Sequence, residues 1–268
     1  MLPVLPEPDR DDLTSSVHAV DHNGDAVSIM GIVERPLTIY LNSQEIVTVM
    51  TICDYPEYLA LGYLLNQSAI PKNSVSDIST DYDEETATVV IRTTFPTSFE
   101  DKMRKKTQTS GCSVGTVYGD ILEEFDKISF PDHIIHTSTL YALSKQINTL
   151  PTLYLKAGAI HGCVLCKGNN IQVFMEDIGR HNAVDKIAGY MFSQGLSTHD
   201  SIFYTTGRLT SEMVIKAAIM GIPVVFSRSG FTVWAAELAA KVGMTLISRF
   251  RGKRFVCVAG GSRVVFDT

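Results

Sequence analysis

Cys112 has the surroundings of a reactive cysteine. It lies in the sequence TSGCSVG, residues 109–115, whose small side chains leave its sulfur accessible. Four cations come shortly before it, at Lys102, Arg104, Lys105 and Lys106. Nearby positive charge favours the thiolate over the thiol, and the thiolate is the nucleophilic form. The pattern therefore predicts a nucleophilic cysteine, and the alternative is an incidental surface cysteine with an ordinary pKa.

The other four cysteines are predicted to occupy core or strand positions. Cys53 follows an apolar run and Cys257 lies inside one, which is typical of small buried residues. Cys163 and Cys166 form a Cys-x-x-Cys pair, a spacing that also occurs in zinc and redox sites. On an extended strand, however, residues three apart point to opposite faces, so the two sulfur atoms should diverge. No second ligand pair has suitable spacing, so we expect no metal here.

Three successive strand–loop–helix units each carry an arginine beside a glycine or serine in the loop. The loops are residues 176–182 (EDIGRHN), 205–211 (TTGRLTS) and 227–230 (SRSG). In an open α/β sheet such loops gather at the carboxyl ends of the strands, where helix N-termini also point. Guanidinium groups there suit phosphate or pyrophosphate, which they bind in a bidentate manner. The sequence therefore predicts an anion-binding crevice, and the alternative is three helix caps with ordinary surface arginines.

The predicted ligand contacts in these loops are Arg180, His181, Asn182, Gly207, Arg208, Ser227 and Arg228. His161 opens a predicted hairpin between Gly158 and Gly162, where a ligand contact and a core histidine are equally compatible with the pattern.

A further basic segment lies between the last two predicted strands. Its residues are Arg249, Phe250, Arg251, Gly252, Lys253 and Arg254. Because the chain as a whole has a formal net charge of -6, this local concentration of cations predicts a second anion contact. Phe250 could stack on a ligand ring in this position. An ordinary solvated hairpin is the alternative.

The elements that must position these residues fall into two regions. Short alternating strands and turn signals such as Asn23-Gly24 predict a β-rich region over residues 17–130, after a flexible tail at 1–16. Residues 96–130 are polar and predict a long mobile loop around Cys112, with some helix near either end. From residue 131 strands alternate with helices, predicted at 139–149, 182–194, 212–220 and 231–242. This order predicts an α/β domain with a mainly parallel sheet covered on both faces.

The overall composition is that of an ordinary globular protein. With 268 residues, of which 45% are hydrophobic and 19% charged, the chain can form one large or two small domains. Its acidic balance disfavours binding to nucleic acid or to an anionic membrane. The apolar runs are too short to cross a bilayer, and the acidic, proline-rich first residues are unlike a signal peptide. We therefore expect a cytoplasmic protein with reduced thiols.

The sequence EDIGRHNAVDK at residues 176–186 closely resembles the signature of the formate dehydrogenase accessory sulfurtransferases (FdhD-type). Shorter similarities follow the same order at residues 34–37, 59–65 and 207–213. The resemblance implies a C-terminal domain similar to the cytidine deaminase fold, and a homodimer.

The resemblance also implies a function. Members of this family accept sulfane sulfur from a cysteine desulfurase and pass it to the bis-molybdopterin guanine dinucleotide cofactor that formate dehydrogenase uses. The family's persulfide carrier falls on Cys112, and a cofactor-binding stretch falls on residues 249–254. This cofactor carries pyrophosphate groups and guanines, so it suits the predicted crevice, and guanine nucleotides should act as partial ligands. Gly115 occupies the place of the family's second loop cysteine, and Arg249 stands where an aromatic residue is frequent.

Two other functions are compatible with parts of the sequence. A deaminase-type hydrolase needs a His-x-Glu and a Pro-Cys-x-x-Cys to hold zinc. Here Gly162 and Cys163 follow His161, with neither the glutamate nor the proline, so the sequence disfavours this function. The second alternative is a chaperone that holds the cofactor or the apo-enzyme without moving sulfur, which the absence of a second loop cysteine keeps open.

Overall fold

The fold is mixed α/β, which confirms the predicted fold class. A computed structural model describes residues 8–71, 77–97, 106–108, 116–150, 152–198 and 200–268. Cys112 and the preceding cations Lys102, Arg104 and Lys105 lie outside these residues. Within them, no helix is both long and apolar enough to span a membrane.

Two sheets shape the N-terminal region. β1 (Thr14–Val20) and β2 (Ala26–Ile32) form a hairpin around the predicted Asn23-Gly24 turn, where Gly24 has a positive φ of 88° that glycine tolerates. The second sheet contains β3 (Arg35–Leu41), β4 (Gln44–Thr51), β5 (Ile78–Asp83) and β6 (Thr88–Thr93), in the order β4-β3-β6-β5. Buried residues alternate with less buried ones along β3 and β6, as a half-buried strand requires. β5 is not evident from the sequence because it contains few apolar residues.

The remaining elements follow in chain order. α1 (Pro56–Asn66) lies between β4 and β5, and the short strands β7 (Lys106–Gln108) and β8 (Thr116–Tyr118) pair before α2 (Gly119–Asp126). Next come β9 (Ile135–His136), α3 (Thr137–Ile147), α4 (Leu153–Ala157), β10 (His161–Lys167), β11 (Asn170–Asp177) and α5 (Arg180–Ser193). The chain continues with β12 (Ser201–Thr205), α6 (Ser211–Ile219), β13 (Val224–Ser227), α7 (Val233–Lys241), β14 (Thr245–Arg251), β15 (Arg254–Ala259), a 3-10 turn at Gly261–Arg263 and β16 (Val264–Val265).

A sheet with the order β11-β10-β12-β13-β14-β15 forms the centre of the C-terminal region. β12, β13 and β14 are parallel, whereas β10 is antiparallel to both of its neighbours and β15 is antiparallel to β14. The sheet is therefore mixed rather than mainly parallel, because two hairpins extend a short parallel centre. In this arrangement the ends of β11, β12, β13 and β14 and the start of β10 lie at one edge, which we call the carboxyl edge.

The two faces of this sheet bury separate apolar cores. The first core contains Phe203 and Leu246 from the sheet and apolar residues of α5, α6 and α7. It also includes Leu37 and Leu64, so residues from both predicted regions share one core. The second core lies on the opposite face and packs Tyr204 and other sheet residues against α3. The predicted boundary at residues 130 and 131 thus separates two parts of the chain that pack against each other.

A third, smaller core corrects the predicted extent of the N-terminal tail. Leu13 is fully buried and packs with Ile52, Leu153 and Ile160. Thr14 to Ser16 already belong to β1. Structure therefore begins before residue 17, because Leu13 is buried against apolar residues that lie far from it in sequence, a contact that local composition does not reveal.

α1 and α5 cross in close contact through two glycines. A Cβ atom on Gly62 would overlap the backbone carbonyl of Asp185, and one on Gly189 would overlap that of Tyr58. The backbones of the two helices therefore touch directly, which only glycine permits at these positions. This contact fixes α5, which carries part of the candidate site, against the N-terminal region.

We expect Gly189→Ala to lower the free energy of unfolding by about 2 kcal/mol or more, because the added methyl group must push the helices apart. Urea denaturation followed by circular dichroism measures the loss. Gly261→Ala is the matched control, since a Cβ there meets no atom within 4 Å and it should be nearly neutral. Equal stability of the two variants would contradict the close crossing.

Candidate functional site

The carboxyl edge brings most of the predicted contacts together. His161 at the start of β10 pairs with Asp177 at the end of β11, and Thr205 at the end of β12 pairs with Ser227 at the end of β13. The three arginine loops leave the sheet at these points. The sequence prediction that they share one edge is confirmed.

Hydroxyl groups in the last row of the sheet hold two of the loops. The Thr205 hydroxyl accepts a hydrogen bond from the Gly207 N–H at 3.1 Å, and the Ser227 hydroxyl donates to the Gly207 carbonyl at 2.7 Å. Ser227 also accepts from the Ser229 N–H at 3.0 Å. The second and third loops are therefore linked to each other. The Ser227 hydroxyl bonds to backbone groups of both loops, so it is not free to contact a ligand.

Gly207 makes room for Arg180. A Cβ on Gly207 would lie 3.1 Å from both Cβ and Cδ of Arg180, closer than side chains normally pack. The aliphatic part of Arg180 therefore lies on the backbone of the second loop, and Arg180 is only 7% exposed. Arg208 and Arg228, by contrast, are exposed at the protein surface.

Two of the helices that begin at this edge have no side-chain cap. The N-cap residue of α5 is Gly179, which has no side chain, and that of α6 is Thr210, whose hydroxyl accepts no hydrogen bond from its helix. At α7, by contrast, the Thr232 hydroxyl accepts from the Ala235 N–H at 3.3 Å. First-turn N–H groups without such a cap are the donors that bind anions at helix N-termini.

His161 lies among the three loop arginines. Burial lowers its pKa most, and the positive charges of Arg180, Arg228 and Arg208 lower this pKa further. The Nδ1 atom of His161 lies 3.5 Å from the hydroxyl oxygen of Thr206. The imidazole is therefore neutral at pH 7, so it offers one hydrogen-bond donor beside a concentration of positive charge.

A buried ionic cluster anchors α5 beneath this crevice. Lys186 contacts the carboxylates of Asp54 and Asp177, the latter at 2.6 Å, and all three side chains are fully buried. Thr51 donates a further hydrogen bond to Asp177. Burial alone would lower the pKa of Lys186, but the charges of Asp177 and Asp54 outweigh it and raise this pKa, so the lysine stays charged. Because Thr51 and Asp54 belong to the N-terminal region, the cluster ties that region to the carboxyl edge.

A second buried chain of polar contacts leads from α1 to the start of α5. Asn66 donates to one carboxylate oxygen of Asp185 at 2.7 Å, and Lys216 lies 2.7 Å from the other. Lys216 is also 3.8 Å from Glu212, and the second oxygen of Glu212 is 3.2 Å from Nε2 of His181. Burial, followed by the charge of Lys216, lowers the pKa of His181 to about 2, so the neutral ring donates to Glu212.

Residues 180–182 lie in the first turn of α5 rather than in a loop. The helix begins two residues before its predicted start. His181 is buried against α6, and the amide of Asn182 donates to Asp177 at 2.9 Å and to the Met50 carbonyl at 2.8 Å. The predicted ligand contacts of the His181 and Asn182 side chains do not agree with this geometry. Both side chains instead hold the crevice from beneath.

A bulge in β14 decides the direction of the basic segment. Arg249 has a positive φ of 54°, and the pairing of β14 with β15 shifts between Ser248 and Arg251. Such a bulge adds one residue and changes which face the next side chain meets. Phe250 is therefore 3% exposed in the second core, where its ring stacks on Phe255 at a centroid distance of 5.5 Å. The prediction that Phe250 stacks on a ligand is contradicted, because protein side chains enclose its ring.

The same bulge leaves the neighbouring arginines at the surface. An open recess of about 490 Å³ is lined by Arg228, Ser229, Gly230, Arg249 and Arg251. The Arg249 N–H donates to the Ser229 carbonyl at 2.8 Å, which joins the basic segment to the third loop. Gly252 and Lys253 form the turn of the hairpin, with the Lys253 ammonium 5.6 Å from the ring centre of Tyr141, and Arg254 begins β15.

The cysteine pair of β10 has the predicted geometry. Cys163 belongs to the first core and Cys166 to the second, so the two sulfur atoms lie on opposite faces of the sheet. Burial raises the pKa of each thiol to about 12. Cys53 and Cys257 are free thiols that are only partly buried. Burial also raises the pKa of Cys257.

Several residues at the carboxyl edge were not evident from the sequence. Glu176 accepts a hydrogen bond from the backbone at the start of α4, and the Tyr154 ring of that helix lies beside Arg228. The sequence signal that could have revealed the start of α4 is Thr152, since threonine often caps helices and the Thr152 hydroxyl caps α4 here. Trp234, the one tryptophan of the sequence, is 48% exposed in the first turn of α7.

Comparisons with known proteins agree with this architecture. The family model described as FdhD/NarQ matches residues 32–265. The chain is 30% identical over 240 residues to the sulfur carrier protein FdhD of Listeria monocytogenes serotype 4b, covering 86% of this chain and 90% of that protein. It is 29% identical over 226 residues to the protein of the same name from Bacillus subtilis, covering 84% and 86% of the two chains.

A solved structure extends the similarity to the fold. The crystal structure of a protein described as a formate dehydrogenase accessory protein from Desulfotalea psychrophila superposes with a TM-score of 0.76 and 25% sequence identity. The match covers 94% of this chain and 98% of the other. With a family match over most of its length and a shared fold, the chain belongs to the FdhD/NarQ family.

Proposed function

We propose that this protein is a sulfurtransferase that carries sulfur as a persulfide on Cys112. It takes the sulfur from a cysteine desulfurase and passes it to the bis-molybdopterin guanine dinucleotide cofactor for use by formate dehydrogenase. The three arginine loops meet at the carboxyl edge, where the charges of Arg180, Arg208 and Arg228 all act on His161, and this is the observation that carries the proposal. The relatives named sulfur carrier protein support the sulfur-carrying role.

The proposed transfer has two steps. In the first, the Cys112 thiolate attacks the outer sulfur of the donor persulfide, a new sulfur–sulfur bond forms, and the desulfurase cysteine leaves as a thiolate. In the second, the outer sulfur leaves Cys112 for the metal of the substrate, and the thiolate is regenerated. The transferred sulfur needs two electrons to become a sulfido ligand, and the reduced metal centre of the substrate supplies them.

The surface of the carboxyl edge suits the anionic parts of this substrate. Arg208 and Arg228 are exposed, α5 and α6 begin at this edge without side-chain caps, and Arg249 and Arg251 line the adjoining recess. Guanidinium groups and helix N–H groups together bind pyrophosphate well. We assign the phosphate contacts to these residues, with Arg180 beneath them and His161 as a neutral donor.

We expect GDP to bind the free protein, more weakly as salt is raised, and Arg208→Ala and Arg228→Ala each to weaken binding about tenfold. Arg180→Ala should weaken it as well, because its charge lies in the same crevice. Calorimetry measures the Kd, and the fluorescence of Trp234, in the first turn of α7, offers a second readout.

Arg92→Ala is the matched control for these variants. Arg92 is exposed and paired with Asp81 on the N-terminal sheet, at 2.7 Å, so its loss should leave GDP binding unchanged. Absence of GDP binding by the wild-type protein at low salt, or an equal effect of Arg92→Ala, would contradict the proposed crevice.

A chaperone that holds the cofactor or the apo-enzyme without moving sulfur is the second candidate, and Gly115 at the place of the family's second cysteine keeps it open. Intact-mass analysis after incubation with a cysteine desulfurase and cysteine separates the two functions. A gain of one sulfur atom on Cys112 supports the carrier, and an unmodified protein that still activates formate dehydrogenase supports the chaperone.

The proposal includes a cytoplasmic homodimer. Sedimentation equilibrium tests the dimer, and cell fractionation tests the compartment. If the protein were a monomer at micromolar concentration, the proposed homodimer would be contradicted.

A further inference from the structure

We propose that Glu176 and Tyr154 are positioning residues that hold Arg228 in place at the mouth of the crevice. Glu176 acts through α4, and Tyr154 acts through the contact of its ring with the guanidinium group. The inference rests on the proposed function, in which Arg228 is one of the anion contacts.

α4 depends on contacts from outside the helix. It has five residues, and helices of that length are not stable by themselves. The Thr152 hydroxyl accepts from the Leu155 N–H at 3.2 Å, and Leu153 is fully buried in the third core. These contacts fix the helix at two points but leave the N–H groups of its first residues to be satisfied.

Glu176 satisfies the first of those groups. One of its carboxylate oxygens accepts from the Leu153 N–H at 2.8 Å, and the neighbouring Tyr154 N–H also lowers the pKa of this carboxyl. A negative charge at a helix N-terminus stabilises the helix. Glu176 is buried at the end of β11, so it joins the first turn of α4 to the carboxyl edge of the sheet.

Tyr154 transmits this placement to Arg228. The guanidinium carbon of Arg228 lies 5.1 Å from the centre of the Tyr154 ring, within the range of a cation–π contact. In the part of the chain that the structure describes, no carboxylate forms an ion pair with Arg228. The tyrosine ring is therefore the contact that restricts this long side chain, which lowers the entropy lost when an anion binds.

The coupling between Glu176 and Arg228 runs through the helix. Both residues line one cavity of about 160 Å³, together with Tyr154, Tyr204 and Thr206, yet they do not form an ion pair. Burial raises the pKa of Glu176 to about 7, and the charge of Asp54 also raises it. The backbone N–H groups of Leu153 and Tyr154 and the charge of Lys186 lower this pKa. The contact with α4 should consequently strengthen as Glu176 ionises.

The first test measures the order of Arg228 in the free protein. In Tyr154→Leu and Glu176→Gln, the NMR order parameter of the Arg228 Nε–H group should fall, whereas in Tyr154→Phe it should remain, because phenylalanine keeps the ring. Arg228→Lys assigns the signal. An order parameter that is unchanged in Tyr154→Leu, or that falls equally in Tyr154→Phe, would overturn the proposal.

The second test measures the affinity for inorganic pyrophosphate by calorimetry. Tyr154→Leu and Glu176→Gln should each raise the Kd about three- to tenfold, with wild-type affinity in Tyr154→Phe. For Tyr154→Leu the salt dependence of binding should be unchanged, because no charge is lost, whereas Arg228→Ala should reduce it. If the wild-type protein did not bind pyrophosphate, the proposed function would be overturned. The order parameter of the Arg228 Nε–H group tests the positioning role separately. Normal binding by Tyr154→Leu would overturn the positioning role alone.

Discussion

Cys112→Ala should abolish both sulfur loading and the activation of formate dehydrogenase. In the proposed reaction, the Cys112 thiolate is the nucleophile, and alanine offers no atom that could replace it. Loading is measured by intact-mass analysis after incubation with a cysteine desulfurase, and activation by formate oxidation in a strain that lacks the native gene. Both signals should fall to background.

Four single substitutions provide the controls for this experiment. Cys163→Ser and Cys166→Ser should keep loading, because burial raises the pKa of both thiols to about 12 and leaves almost no thiolate at neutral pH. Cys53→Ser and Cys257→Ser should keep it as well, at most with some loss of stability. Activation by Cys112→Ala would make the protein a chaperone, and loss of loading only in Cys163→Ser or Cys166→Ser would move the site to β10.

Lys186→Met should lower the free energy of unfolding by about 3–5 kcal/mol. Methionine is close to lysine in size, but it leaves the carboxylates of Asp54 and Asp177 buried without their shared cation. Urea denaturation measures the loss. The deficit should shrink as the pH is lowered, because burial raises the pKa of Asp54 and protonation then removes the uncompensated charge.

Lys241→Met is the matched control for Lys186→Met. Lys241 also forms an ion pair, with Asp126 at 2.7 Å, but both side chains are more than half exposed. Such surface pairs contribute little, so its loss should change the stability by less than about 1 kcal/mol. If Lys186→Met and Lys241→Met were equally stable, the buried cluster would not be what holds the N-terminal region and α5 together.

The sequence by itself determined the local elements and the edge at which the arginine loops meet. Period-two alternation and the Asn23-Gly24 turn predicted the first hairpin, and the order of strands and helices placed Arg208 and Arg228 after parallel strands. It also predicted that Cys163 and Cys166 point apart. These conclusions depend on backbone geometry that a short stretch of chain already sets.

Only the tertiary structure decided which polar residues face the crevice and which support it. His181 and Asn182 lie next to Arg180 in sequence, yet both are engaged below the site, because Glu212, Asp177 and the Met50 carbonyl come from other elements. These partners are 31, 5 and 132 residues away. No local pattern specifies the contacts with Glu212 and Met50, which lie far from the motif in sequence.

The basic segment shows the same limit at the scale of one residue. If side chains alternated regularly along β14, Arg249 and Phe250 would each point to the face opposite to the one observed. The bulge at Arg249 shifts this pattern, so Phe250 lies in the second core. Arginine is not a residue that signals a positive φ, so the sequence does not reveal the bulge. The composition of the segment therefore determined its charge, whereas packing of the phenylalanine ring decided which of its side chains reach the surface.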